Sequence, residues 1–351
     1  MTGAVLFPAD FLARAPWQSP IFSDPELIAA SAPFTAGRPM AFTALTPHGA
    51  AGLMVQIADT GLKRLFARTL RGPINGQLPW AGVISKNATR AVLEDLAEQV
   101  FTARWDSLEI GPFPDFDHIT AEFVEICRGR AAAADERTAD FHAINGLRSL
   151  EELIEAQSKA PRKNHRRAMR LVDGNPGNDL VVFSGADAGQ GLERFFEIDR
   201  RSWKAERGEA LLSSPDLARY YQSLCDRYGA AGEAAIVLVR IGGRDVAGIL
   251  MLLRNKIGYL FKSSFIEDAG AGAVSPGTLA ILSGIRWLLE DRKVDRIMLL
   301  TEADYARHFS HGTVRMRACR LWSRRPRAAP VRALAHARAA ASRRLTGRDP
   351  Q

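Results

Sequence analysis

Three runs of apolar residues in the second half of the chain, at 235–241, 245–253 and 257–265, predict three consecutive β-strands. Gly242 and Gly243 separate the first two runs, and a glycine pair is a typical signal for a two-residue hairpin turn. The pattern therefore predicts a meander of strands in this part of the chain.

After this meander, apolar residues recur every three or four positions, which predicts an amphipathic helix over 276–292. Its apolar face consists of Leu279, Leu282, Ile285 and Leu289. A short apolar run at 296–300 and an alternating run at 312–322 predict two further strands.

The first half of the chain shows the same order of elements. Runs at 42–45, 53–57 and 64–67 predict strands, 88–103 predicts a helix, and 105–110 predicts the next strand. We interpret the repeated order as a degenerate internal duplication.

The segment between the two halves is mainly helical. It predicts a basic helix over 147–172, a strand at 180–183, and helices over 188–204 and 215–228. Two α+β lobes joined by a helical connector fit this order. We place the boundaries so that the chain has an irregular lead-in at 1–36, a first lobe at 37–146, a second lobe at 147–325 and a basic tail at 326–351.

The net charge of +8 is concentrated near the end of the sequence, where residues 315–348 hold eleven arginines and no acidic residue. Such a segment attracts polyanions without sequence specificity. Its Ala/Arg composition is compatible with a surface or membrane-peripheral helix and equally with a disordered tail. No motif for specific DNA binding accompanies it, and the sequence leaves the oligomeric state open.

Other features exclude several classes of protein. No apolar run approaches the roughly 18 residues that span a bilayer, and the first residues lack the basic start of a signal peptide, so we expect a cytoplasmic protein. Three scattered cysteines exclude a disulfide framework and contain no metal-binding pair, and we expect no metal. Packing in the core is the favoured interpretation for Cys127, Cys225 and Cys319.

The start of the predicted helix at 276 is a candidate anion site. Pro276 suits the first helical turn, and Ser275 before it is able to cap exposed N–H groups. Backbone amides of Gly277 and Thr278, with the positive end of the helix dipole, suit a phosphate such as the diphosphate of coenzyme A. A glycine-rich stretch at 269–274 leads into this helix. The alternative is a helix cap without a ligand.

Four segments of the second lobe are similar to motifs of a known family. They are the basic stretch at 158–167, Arg201-Ser202-Trp203-Lys204, Ser275-Pro276-Gly277-Thr278-Leu279, and Ala303-Asp304-Tyr305 with its continuation to Phe309. With them, residues 147–309 resemble the acetyltransferase domain of the CelD-like (BioF2-like acetyltransferase domain) family. That family is a branch of the GNAT superfamily related to the FemAB-type transferases.

Two departures from the family pattern concern the site. The phosphate loop of GNAT proteins usually has an arginine or glutamine, which residues 268–278 lack, and the usual Tyr-Lys pair is Tyr305-Ala306 here. The resemblance implies two GNAT-like lobes with mixed, mostly antiparallel sheets flanked by helices, the first lobe degenerate. It further implies acyl transfer, usually from acetyl-CoA, to an amine or hydroxyl, often of an envelope-polysaccharide precursor or another sugar or small molecule.

The resemblance also implies roles for individual residues. The strand at 257–265 would contact the donor, through Phe261, Lys262 and Ser263. Tyr305 is the candidate general acid for the leaving thiolate, with an aromatic packed in the lobe interface, its hydroxyl hydrogen-bonded, as the alternative. The candidate site residues of the acceptor side are Trp203 and Lys204 as walls of its cleft, Glu302 and Asp304 as bases, and His308 and His311 as reserve bases.

The basic helix leaves two functional alternatives open. Arg162, Lys163, Arg166 and Arg167 form either a solvated surface or a face that attracts an anionic substrate. A FemAB-like transferase that uses aminoacyl-tRNA is the second enzymatic hypothesis. The third is a non-catalytic module that binds polyanions, which the two departures from the family pattern favour.

Overall fold

The structure, a computed structural model, describes residues 7–35, 37–58, 67–267 and 274–346. The chain divides into two compact units. The first is discontinuous and consists of Met1–Ala139 and Met316–Gln351, and the second is Asp140–Arg315. The boundaries that we placed at 36, 146 and 325 stay predictions.

Helices make up much of the described chain. In chain order the α-helices are α1 (Ala9–Leu12), α2 (Pro25–Ser31), α3 (Arg90–Thr102), α4 (His118–Arg130), α5 (Leu150–Ala156), α6 (Lys159–Asp173), α7 (Ala188–Arg200), α8 (Trp203–Glu206), α9 (Pro215–Ala230), α10 (Pro276–Arg286) and α11 (Ala328–Thr346). One further turn, Trp287–Asp291, continues α10 with π-helical geometry.

The strands alternate with these helices. In chain order they are β1 (Arg38–Leu45), β2 (Ala50–Ile57), β3 (Thr69–Arg71), β4 (Ile84–Lys86), β5 (Ser107–Pro114), β6 (Ala133–Asn145), β7 (Asp179–Ser184), β8 (Ala234–Ile241), β9 (Arg244–Arg254), β10 (Ile257–Phe265), β11 (Arg296–Met298) and β12 (Thr313–Trp322). The mixed α+β class with mostly antiparallel strands is confirmed.

In the first unit the strand order is β1-β2-β3-β5-β12, and β4 pairs with the same strand as β1 does. Strands β3 and β5 are parallel, and helix α3 lies between them in sequence. Apolar residues of α3 recur every three or four positions and enter the core of this unit, as Val92, Leu93, Leu96, Ala97 and Val100.

In the second unit the order is β6-β11-β10-β9-β8-β7, antiparallel except for the parallel pair β10 and β11. Helices cover both faces of this sheet, as neighbouring residues of β9 show. A side chain at Gly248 would meet Phe195 of α7, whereas Ile249 contacts Gly284 of α10. Because successive side chains of a strand point to opposite faces, α7 and α10 pack on opposite sides.

The β8–β9 turn confirms the glycine-pair prediction. Gly242 and Gly243 both have positive φ, +57° and +77°, a combination that hairpin turns of two residues require and that glycine adopts without steric cost. The strands predicted around it match those observed to within one residue at each end.

Two predicted helices are each divided in the structure. The helix expected over 147–172 is α5 and α6, which are separate because Pro161 lacks an N–H and is tolerated only in a first helical turn. The helix expected over 188–204 ends at Arg200, and Ser202 caps a new short helix by accepting from the Lys204 N–H. Pro161 in the first case and the Ser202 cap in the second therefore outweighed the continuous amphipathic pattern.

Other elements were missed or cannot be compared. Helix α4 and strand β6 were not predicted, although Asp117 caps α4 by accepting from the Thr120 N–H. The strand predicted at 64–67 lies outside the described residues except for Ala67, which is not in a strand. The basic tail forms helix α11, where His336 contacts Asp135 at 3.0 Å.

No helix within the described ranges is long and apolar enough to span a membrane. The three cysteines are buried and unpaired with one another as disulfides, as the core interpretation expects. Burial raises the pKa of the Cys225 thiol to about 12 and that of Cys127 further, so both are poor nucleophiles near neutral pH.

Candidate functional site

The parallel strands β10 and β11 separate after a short contact. They pair only at Ile257 with Arg296, Gly258 with Ile297 and Tyr259 with Met298. Beyond that point a β-bulge shifts the register of β10 against β9 between Leu260 and Lys262. A bulge bends its strand, and here it bends the strand next to the place where the two parallel strands diverge.

A left-handed residue turns the other strand away. Leu300 follows β11 with φ of +58°, a conformation that costs a residue with a side chain on the order of 1–3 kcal/mol. Such a cost is found mainly where the surrounding structure requires a particular backbone path. Here the path takes the chain away from β10.

A cavity of about 170 Å³ occupies the gap between the two strands, and we call it the β10–β11 cavity. Residues of β9 and β10, of α10 and of the segment after β11 line it. Its walls include Phe261, Ser263, Ile281, Leu300, Tyr305 and Phe309. The cavity therefore combines apolar side chains with the hydroxyl groups of Ser263, Thr301 and Tyr305.

A fully buried carboxylate lies behind the β10 wall. Asp199 of α7 accepts the Leu211 N–H at 2.6 Å and the Ser264 hydroxyl at 2.8 Å. The Lys204 ammonium lies 3.8 Å from the same carboxylate and donates to the Ser263 carbonyl at 2.6 Å. These contacts hold the α7–α9 connection against β10, beside the cavity wall.

Two lysines share this environment. Partial burial lowers the pKa of Lys262 to about 8, and the nearby Lys204 ammonium lowers it further while Asp199 opposes the shift. Burial also lowers the pKa of Lys204, again against the attraction of Asp199. The Lys262 ammonium lies 5.2 Å from the centre of the Phe261 ring, which is a cavity wall.

Helix α8 contributes the predicted acceptor-side residues. Trp203 is its first residue, half-buried, and the Arg207 guanidinium stacks over its ring at 4.8 Å. Lys204 follows directly and reaches the Ser263 carbonyl. The structure therefore brings Lys204 to the cavity wall together with the donor-strand candidates Phe261, Lys262 and Ser263.

The start of α10 differs in part from the prediction. Pro276 is the first residue of α10, as expected, but the exposed Ser275 side chain caps no N–H group of this helix. Gly277 is buried, and a Cβ there would lie 2.8 Å from the Phe265 ring, so close packing requires the glycine. Thr278 is half-exposed. The glycine-rich stretch before it lies outside the described residues, apart from Val274.

Among the candidates after β11, the structure brings only Tyr305 to the cavity. Its side chain is 60 % exposed at the cavity wall, and its hydroxyl makes no hydrogen bond to another described residue. Glu302 and Asp304 are exposed and do not line the cavity as far as the structure describes it; Asp304 pairs with Arg307 at 3.1 Å. His308 and His311 are exposed as well.

Comparison with known proteins identifies the fold of this unit. Residues 159–309 match the family model described as the acetyltransferase (GNAT) domain. The second unit holds a GNAT-type acetyltransferase domain. No curated protein sequence matches the chain.

Solved structures show that a similar fold extends over more of the chain. FemX has a TM-score of 0.56 at 10% identity, over 88% of this chain and 94% of its own. A conserved protein of unknown function from Bacteroides thetaiotaomicron VPI-5482 has a TM-score of 0.50 at 9% identity, over 87% and 99%. A DUF2156 domain from Agrobacterium fabrum has 0.50 at 12%, over 84% and 87%.

The basic helix that precedes the sheet of the GNAT domain is only partly available to a ligand. Arg162 of α6 donates to the backbone carbonyls of Glu155 and Gln157. Arg166 forms ion pairs with Glu151 and Glu155 of α5. Two of its four predicted cations therefore stabilise the α5–α6 contact, whereas Lys163 and Arg167 are exposed.

Sequence reasoning missed Asp199, the buried carboxylate that organises this wall of the GNAT domain. A signal was present, since Asp199 lies on the apolar face of α7, four residues after Phe195 and seven after Leu192. A charged residue on an otherwise apolar face is rarely buried unless it is paired. Its partners come from other elements and could not be named from the sequence.

Proposed function

We propose that the protein is an acyltransferase that moves an acetyl or other acyl group from acyl-CoA to an amine or hydroxyl. The observation that carries this proposal is the β10–β11 cavity, a gap that lies where β10 diverges from the segment after its parallel neighbour β11 in a GNAT-type domain. A gap of this kind suits an extended thioester arm, because backbone and apolar side chains line both of its sides.

The first turn of α10 supports the same donor. Ile281 of α10 lines the cavity, and Thr278 lies three residues earlier on the same face of the helix. The amides of Gly277 and Thr278 at the helix start then bind the diphosphate of the carrier, with Ser275 beside them. Phe261, Lys262 and Ser263 of β10 contact the arm.

The acceptor side of the proposal rests on α8. Trp203 and Lys204 lie on the connection between α7 and α9, and Lys204 contacts the cavity wall. An acceptor that meets the thioester from this side is a small molecule, a sugar or an envelope-polysaccharide precursor, as in the CelD-like family that residues 147–309 resemble. Trp203 offers a flat apolar surface for such a ligand.

The donor part of the proposal is tested by Thr278→Glu. The new carboxylate lies in the first turn of α10, where it suits the helix dipole but repels the diphosphate. We expect about a 10- to 100-fold weaker acetyl-CoA affinity in calorimetry, without loss of thermal stability. Thr278→Gln separates size from charge, and an affinity that falls equally in both variants would contradict the electrostatic explanation.

Tyr305 is the proposed general acid. Removing its hydroxyl in Tyr305→Phe leaves the departing thiolate without a proton donor at the cavity wall, so we expect kcat to fall about 10- to 100-fold. The acetyl-CoA dissociation constant stays the same, because the ring remains. Equal kcat values for the variant and the wild type would remove Tyr305 from the mechanism.

The choice of donor is tested by binding. Stabilisation of the wild type by acetyl-CoA and desulfo-CoA in a thermal-shift assay supports the acyltransferase. A response to tRNA alone would favour a FemAB-like aminoacyl transferase, and a response to polyanions alone would favour a non-catalytic binding module.

A further inference from the structure

We propose that the Lys262 amine is the general base that accepts the proton of the acceptor group, an inference that rests on the acyltransferase function proposed above. The placement of three groups carries it. Lys262 lies between Phe261 and Ser263, which both line the β10–β11 cavity, and its ammonium lies near the Phe261 ring. A base in this position is next to the site where the thioester carbonyl is attacked.

The bulge in β10 determines which face of the sheet Lys262 reaches. The ring centres of Phe261 and Tyr221 of α9 are 6.0 Å apart, and the Ser264 hydroxyl donates to Asp199 of α7. This part of β10 therefore faces those two helices. Lys262 interacts electrostatically with Lys204 of α8 and Asp199 of α7. Helix α10, which starts at the proposed diphosphate site, covers the opposite face. Lys262 therefore lies on the face of the sheet opposite α10.

The charged and titratable groups around Lys262 make a neutral amine accessible. Lys204 on α8 and Asp199 on α7 act on it directly, Glu209 acts on Lys204, and Tyr221 on α9 packs near Phe261. Its partner in β9 is the apolar Leu250. Partial burial and then a second ammonium disfavour the charged form, and the pKa of Lys262 falls to about 8. A base works best when its pKa is close to the working pH.

The other candidate bases are less well placed. Glu302 and Asp304 are exposed, whereas Lys262 is partly buried and lies beside the cavity residue Phe261. His165 stacks on the cavity residue Phe309 at 5.3 Å, but burial and the charge of His308 lower its pKa to about 4, which makes it a weak base.

The proton and electron movements balance. The neutral Lys262 nitrogen takes a proton from the acceptor nitrogen or oxygen, whose lone pair forms the new bond to the carbonyl carbon. The tetrahedral adduct then breaks the carbon–sulfur bond, and the CoA sulfur leaves with that electron pair and takes a proton from the Tyr305 hydroxyl. Lys262 and Tyr305 return to their starting states by exchange with solvent.

Lysine-to-arginine replacement separates this role from that of a fixed cation. In Lys262→Arg the positive charge remains, but a guanidinium does not deprotonate in a protein. The probe is acetyl-CoA with water as the acceptor, measured as released CoA thiol above the buffer rate. We expect the wild-type rate to rise with pH with a midpoint near pH 8, and the variant to lose this rise and about 100-fold in rate.

The neighbouring lysine provides a readout that a merely structural role would not move. Lys204→Met removes the ammonium that lowers the pKa of Lys262, so the midpoint of the pH–rate curve moves to higher pH, by about one unit. Lys204→Arg keeps the cation and leaves the midpoint in place. If the midpoint of the pH–rate curve is the same in Lys204→Met as in the wild type, the assignment of Lys262 as the base is wrong.

Stability provides a second readout without turnover. A lowered lysine pKa means that the folded state binds fewer protons than the unfolded state between about pH 8 and 10.5, so stability rises with pH across this window. We expect the midpoint of urea unfolding to rise less with pH in Lys262→Met than in the wild type. An unchanged rise in that variant would contradict the lowered pKa and overturn the assignment.

The outcomes distinguish this inference from the function on which it rests. Absence of acetyl-CoA binding to the wild type in calorimetry overturns the proposed function and the base together. Binding with wild-type rates and the same pH dependence in Lys262→Arg overturns the base alone, and would assign Lys262 a purely electrostatic role. Loss of rate and of the pH dependence with donor affinity retained supports the proposal.

Discussion

Replacing Asp199 by alanine is expected to destabilise the protein by about 3–5 kcal/mol, because it removes one partner of a buried charged network. The Leu211 N–H and the Ser264 hydroxyl lose their acceptor, and the partly buried Lys204 ammonium loses its nearest carboxylate. Each of these groups then pays the cost of remaining away from water without a partner. Urea unfolding of the purified variant measures the loss.

Two controls separate this network from a general effect of removing a carboxylate. Asp199→Asn keeps one acceptor oxygen, so we expect a smaller loss of about 1–3 kcal/mol. Asp304→Ala removes a carboxylate that is 94% exposed and pairs with Arg307, and we expect a change below about 0.5 kcal/mol. A loss in Asp199→Ala no larger than in Asp304→Ala would show that the buried contacts contribute nothing to stability.

Filling the β10–β11 cavity is expected to abolish donor use. In Ser263→Phe the new ring occupies the cavity of about 170 Å³, whereas the Ser263 carbonyl that accepts from Lys204 belongs to the backbone and remains. We expect acetyl-CoA affinity and kcat/KM to fall about 100-fold or more, equivalent to roughly 2.7 kcal/mol. Calorimetry and thiol release measure the two quantities.

The matched variant is Ser263→Ala, which removes the hydroxyl without filling the cavity. We expect donor affinity within about threefold of the wild type, since one hydrogen bond at most is lost. Circular dichroism melting confirms that Ser263→Phe is folded. A folded Ser263→Phe with normal acetyl-CoA affinity would place the donor elsewhere and remove the main support of the proposed function.

The local sequence pattern predicted the elements well wherever the different signals agreed. The strands around Gly242 and Gly243 and the helix start at Pro276 agree with the structure because turn chemistry and apolar periodicity pointed the same way. The continuous helices expected over 147–172 and 188–204 were wrong. There, apolar periodicity continued through a proline restriction and a serine cap that end a helix locally.

The candidate site also contains residues that the sequence predicted well and residues that it did not. Among the residues named from the sequence, Phe261 and Ser263 line the cavity. Lys262 lies near the Phe261 ring, and Lys204 donates to the Ser263 carbonyl. Glu302 and Asp304 were named because they are near Tyr305 in sequence, but neighbouring residues in a loop point in different directions. Only the structure shows that Tyr305 alone of these three reaches the cavity.

The sequence by itself determined the order of strands and helices, the glycine turns, and the set of polar residues from which a site could be built, because each depends on neighbours along the chain. Only the tertiary structure decided the gap between β10 and β11, the left-handed turn at Leu300 and the partners of Asp199. Those features depend on contacts between segments far apart in sequence. The lowered pKa of Lys262 has the same origin, since its causes are burial in the folded chain and then a second lysine 58 residues away in the sequence.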